Sequence, residues 1–158
     1  PYAREARTIV DQLRLGIPGL SMDLLPRRDR WGEPLPNRSA LGGNLTSIYE
    51  QRVNSDRTNQ ALVDLGIHVG TVGRTIRNVR LTDEQYDDYS RLAGRLTKMG
   101  MDRIIGSNMF RTMPPESRQN LVNEQIRGEH EAARNMMFMK YPSILVDAHS
   151  AKMAHGRE

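Results

Sequence analysis

Glu129-His130-Glu131 comes closest in this chain to a metal-binding pattern, with three potential donors in succession. A zincin site requires a second histidine four residues on, so that both imidazoles face one ion. Position 134 is arginine, and His130 lies on an apolar helical stripe, where a packed histidine is the ordinary outcome. Asp147, His149 and His155 near the C-terminus offer acid–base groups. The spacing of the two histidines does not put them on one helical face, and no nucleophile with a positioned base accompanies them. Asp83, Glu84, Asp87 and Asp88 could supply paired carboxylates for general acid–base work. They occupy the first turns of one predicted helix, where negative charge offsets the helix dipole, and capping and solvation explain them without catalysis. Gly66, Gly70 and Gly73 fit neither phosphate-loop spacing and more simply permit turns. The residues therefore assign no catalytic, cofactor-binding or metal-ligating position, and a non-enzymatic chain is expected.

Recognition chemistry has better support. Arg27, Arg28 and Arg30 surround Trp31, the only tryptophan, inside a Gly16–Pro36 stretch that holds four of the eight prolines. Such a segment cannot be regular helix or central strand, and a connection of this length is usually functional or a linker. Cations beside a stacking surface suit nucleic acid, and Arg74, Arg77 and Arg80 recur downstream. Asp23, Asp29 and Glu33 dilute the first cluster, which favours a salt-bridged anchor docking on a partner. Pro18, Leu20, Pro26, Arg27, Arg28, Arg30 and Trp31 are the candidate contacts of that arm. Met136, Met137 and Phe138 form a second candidate surface, because consecutive apolar residues exceed what one buried helix face needs. Flexible methionines suit adaptable interfaces, although a plain core explains them equally well.

The elements that must position these groups are short of core material. Apolar residues make up 37% of the 158 and aromatics 5%, below the usual apolar share, while charged residues at 27% are ordinary. An extended or partner-dependent packing follows. Net charge is +4, and 20 of the 23 cations are arginine, which pairs bidentately with carboxylate and phosphate; Arg-favouring codon usage fits equally well. There is no cysteine, so disulfides and thiolate metal sites are excluded, and no apolar run is long enough to span a membrane. The first residue is proline rather than methionine, which points to a piece of a longer polypeptide.

The fold class expected is mainly α, with short helices joined by long irregular segments and an extended proline-rich arm. Residues 1–15 hold an amphipathic helix, residues 16–56 the arm, and residues 57–158 a small helical module. A brief helix is predicted over 59–65, and residues 67–81, rich in glycine and β-branched residues, suit extended chain or a small hairpin. Thr82-Asp-Glu-Gln85 reads as a capping box. Its helix is predicted to break at Gly100, with a second short helix over 101–110. Pro114-Pro115 suits a helix start, the helix running to about Lys140 and ending at Tyr141-Pro142. A last, weakly amphipathic segment covers 143–153.

Ile17-Pro-Gly-Leu-Ser21 followed by Leu25-Pro-Arg-Arg-Asp-Arg-Trp-Gly-Glu-Pro34 resembles the C-terminal regions of very large internal virion, or ejection, proteins of tailed phages and prophages. Asp64-Leu-Gly-Ile67, Val79-Arg-Leu-Thr-Asp-Glu-Gln-Tyr86, Arg91-Leu-Ala-Gly94 and Arg134 to Pro142 resemble further motifs of that family in the same order. Some members carry lytic transglycosylase domains far upstream; that catalytic region has no counterpart among these residues. The resemblance implies a structural module of the virion, made in the bacterial host cytoplasm. Its partners would be other copies of itself and portal, tail or other virion proteins, and its role would be to assist genome delivery. The alternative is a module that contacts the packaged or ejected DNA.

Overall fold

The computed structural model describes residues 25–35 and 57–155. The expected helix over residues 1–15, the arm contacts Pro18 and Leu20, and residues 37–56 lie outside the described residues. The remainder is mainly α-helical. Helix α1 (Arg57–Asp64) leads to a hairpin of β1 (Thr75–Ile76) and β2 (Val79–Arg80); α2 (Asp83–Gly106), α3 (Asn108–Thr112), α4 (Pro115–Lys140) and α5 (Ser143–His155) follow.

Local chemistry sets most of these boundaries. Gly66, at φ +65°, lets the chain leave α1 in the left-handed region, its amide donating to the Val63 carbonyl at 3.0 Å. The strands pair Thr75 with Arg80 and Ile76 with Val79 across the two-residue turn Arg77-Asn78. Both turn residues have positive φ, 48° and 66°, the geometry that matches the twist of a tight hairpin. Thr82 and Gln85 form the capping box in full: Thr82 Oγ1 accepts from the Gln85 amide, and Gln85 Oε1 from the Thr82 amide.

Gly100 does not break α2, which runs 24 residues to Gly106. A helical glycine is tolerated when packing needs the space, and a Cβ on Gly100 would lie 2.5 Å from Glu129 Oε1 and 2.9 Å from Gln125 Nε2 of α4. The break comes instead at Ser107, whose hydroxyl donates to the Ile104 carbonyl at 2.7 Å and accepts from the Phe110 amide at 3.2 Å. One serine thus closes α2 and opens α3. Pro115 occupies the first turn of α4, and Tyr141 closes that helix with its amide on the Met137 carbonyl at 2.7 Å.

Helices α2 and α4 form the principal packed pair. Asp88 near the start of α2 meets Lys140 at the end of α4, and Gly100 meets Glu129, so the two run antiparallel. Apolar side chains close into two clusters around this pair. Ile76, Leu81, Tyr89, Ala93, Ala133, Met137, Phe138 and Ile144 join the hairpin and α5 to it. Trp31, Leu62, Val69, Met101, Ile105, Phe110 and Val122 join the arm, α1 and α3 to its other end.

Candidate interaction surfaces

Over residues 25–35 the arm is a folded-back turn, not an extended strap. Arg28 and Pro34 bridge antiparallel, the Leu35 amide donates to the Arg27 carbonyl at 2.8 Å, and the Asp29 amide to the Glu33 carbonyl at 2.9 Å. Asp29 Oδ1 accepts from the amides of Trp31 and Glu33 at 2.8 and 2.9 Å. The acidic residue that dilutes the arginine cluster in sequence thus organises the turn.

This turn docks on the chain's own helix α2. Arg28 makes a bidentate pair with Asp87, Nε to Oδ1 at 2.6 Å and a terminal nitrogen to Oδ2 at 2.8 Å, while its other terminal nitrogen donates to the Gly32 carbonyl at 2.9 Å. The hydrogen bond to Asp87 raises the Arg28 pKa, outweighing burial, which lowers it. Trp31 is 8% exposed. Its indole N–H donates to Asn59 Oδ1 at 3.2 Å, and the Lys98 ammonium lies 5.7 Å from the ring centre. Trp31, expected as an anchor on another subunit, is buried within its own chain. Among the other arm candidates, Pro26 and Arg30 are half-buried and Arg27 is exposed.

Two glycines make the docking possible. A Cβ on Gly94 would lie 2.2 Å from the Trp31 carbonyl carbon and the Gly32 amide nitrogen, so α2 meets the arm backbone to backbone. Gly32 sits at φ +77°, and a Cβ there would lie 2.8 Å from the Arg91 Cα. Asn59, Asp87 and Gly94 all escape the sequence reading of the arm. Gly94 left a signal, since a glycine inside a strongly helical segment costs stability and so implies close packing.

Between the docked turn, residues 70–72, α2 and His130 lies a cleft of about 210 Å³. Burial, reinforced by the Arg134 guanidinium, pushes His130 below the ordinary imidazole value. The Ser90 hydroxyl on the same cleft is buried and finds no hydrogen-bond partner among the described residues. Among the described residues no cluster of three or more His, Asp or Glu is arranged to hold a metal ion, and no helix is long and apolar enough to cross a membrane.

The second candidate surface divides. Met137 and Phe138 are buried at 1% and 8%, Phe138 beneath the Arg77 guanidinium at 4.8 Å. Of the two readings open in the sequence, these two residues take the core one within this chain, packed in the cluster that joins the hairpin and α5 to the helix pair. Met136 alone of the three is exposed. Below this corner Asp88 bonds Lys140, the Tyr141 hydroxyl and Arg91, pinning α2 to the end of α4. Burial works against its charge, but the Lys140 and Tyr141 bonds together hold its pKa below the ordinary carboxylate value.

No family model, curated protein or solved structure matches this chain. Its surfaces must speak for it. Among the described residues, α5 exposes three large apolar side chains, Leu145, Val146 and Met153, while Ile144 is buried.

Proposed function

We propose that this chain is a structural, non-enzymatic module of a tailed-phage internal virion protein, assembling in multiple copies at the portal or tail and assisting genome delivery. The virion setting rests on the ordered likeness from Ile17 to Pro142. The assembly role rests on one observation above others: α5 presents Val146 at 64% exposure and Met153 at 55% on a chain whose two apolar clusters are already closed. Val146 and Met153 stand seven residues apart, two turns along one side of α5, and exposed apolar side chains grouped on one side of a helix favour protein contact.

The DNA-binding alternative draws less support from the arginines than their number suggests. Arg28 is committed to Asp87, Arg91 to Asp88 and Arg134 to Glu131, and Arg74 stacks on Tyr86 at 4.1 Å. Cations held by carboxylates contribute little to phosphate binding. An epitope-tagged parent chain should band with nuclease-treated, gradient-purified virions. Particles of normal yield without the tag would overturn the virion setting.

A further inference from the structure

Beside the antiparallel pair, α2 and the C-terminal half of α4 enclose an open groove of about 460 Å³. Leu92, Met136 and the buried Met137 supply its apolar lining, and Arg91, Arg95 and Lys140 its charged edges. Asp88 is the one carboxylate on this lining, and it is already held by Lys140, Arg91 and Tyr141. Arg95 is exposed and makes no ion pair among the described residues. Met99, one turn beyond Arg95, continues the apolar edge at 54% exposure. We infer that this groove docks an acidic amphipathic helix of another protein.

Charge and shape both select that occupant. The lining carries three cations against one carboxylate, and with Arg91 and Lys140 held by Asp88 it is Arg95 that is left to attract a carboxylate on the flank of an incoming helix. Unbranched methionines repack around whatever apolar side chains enter. From Asp88 to Arg95 the groove follows α2 for about 10 Å, room for two turns of helix engaged through residues at i, i+3 and i+4. Nucleic acid fits less well, because the lining offers no aromatic ring on which a base could stack. A second copy fits less well too, because the acidic start of α2 spends Asp83 on Arg74, Asp87 on Arg28 and Asp88 on Lys140, which leaves Glu84 alone of the four for the groove.

The test uses a fluorescein-labelled designed peptide of about 15 residues, long enough to form helix on docking, with leucines on one face and glutamates flanking them. A matched peptide carries lysine in place of every glutamate. Anisotropy titrations on monodisperse protein keep this result separate from self-association through α5. The acidic peptide should bind at least about tenfold more tightly than the basic one. Arg95→Glu and Met136→Glu, both exposed positions whose folding is checked by circular dichroism, should each weaken it by about tenfold, while Val146→Glu should leave it unchanged. Equal binding of the two peptides, or acidic binding indifferent to both groove variants, would overturn the inference. So would failure of the acidic peptide to bind while Arg95→Glu abolishes binding of a labelled oligonucleotide or dissolves a dimer of this chain.

Discussion

Two helical glycines with opposite surroundings make the docking of the arm measurable. Gly94 meets the Trp31–Gly32 backbone within 2.5 Å of where a Cβ would sit, whereas Gly128 has nothing within 4 Å. Gly128→Ala should therefore stabilise by about 0.8–1 kcal/mol, the difference in helix propensity. Gly94→Ala gains the same propensity but forces the arm away at an overpacking cost of about 3 kcal/mol, for a net loss on the order of 2 kcal/mol. Urea midpoints moving in opposite directions would establish the docking, and parallel shifts would refute it. His130 makes a second test at this scale. Its folded pKa lies below the ordinary 6.5, so the unfolded chain binds more protons and stability declines as pH falls through that value. His130→Gln should flatten the decline. Asp88 acts in a lower window: its folded pKa is depressed, so its contribution is present above the ordinary 3.8 and is lost as pH falls below it. Unfolding midpoints of both proteins down to pH about 5 isolate the histidine.

At the scale of elements, the arm is a part of the core. Trp31→Ala should cost about 3–5 kcal/mol, as for other buried aromatics, and should increase proteolytic cleavage between residues 25 and 35. Unchanged stability would mean that the indole is not held as described. Much of the helical frame was legible in the sequence. Thr82 and Gln85, Pro115 and Tyr141-Pro142 act through neighbours in sequence, so their patterns specify α2 and α4 directly. The hairpin was legible as an alternative to extended chain, although Arg77-Asn78 lacks the glycine that usually marks so tight a turn. Gly100 misled because its reason lies across the interface, on Glu129 and Gln125. The contacts that the arm makes with its own chain were hidden in the same way. Its prolines and arginines announce an irregular, anchored segment, but Asp87, Asn59 and Gly94, which receive it, stand 28 or more residues away from the groups they meet. Local pattern carries no record of such pairings.

For the molecule as a whole, the sparse apolar content is concentrated rather than dispersed. Two clusters on one antiparallel helix pair use Trp31, Met137 and Phe138 internally, and the surface left for partners shifts to α5 and to the cationic groove beside Met136. Of the residues that the sequence marks as partner contacts, Arg27 and Met136 are exposed, whereas Trp31, Met137 and Phe138 are buried in the chain itself. Apolar self-assembly and phosphate binding differ in their response to salt. Association through Val146 and Met153 should persist or strengthen at high ionic strength, whereas DNA binding, driven by the release of counterions from phosphates, weakens steeply as salt rises. The most direct measurement is sedimentation velocity across a concentration series at low and high salt, on the chain and on its Val146→Glu/Met153→Glu variant. An assembly module predicts concentration-dependent oligomers that survive high salt and dissociate in the variant. A monomer at every concentration, or oligomers indifferent to both substitutions, would contradict it.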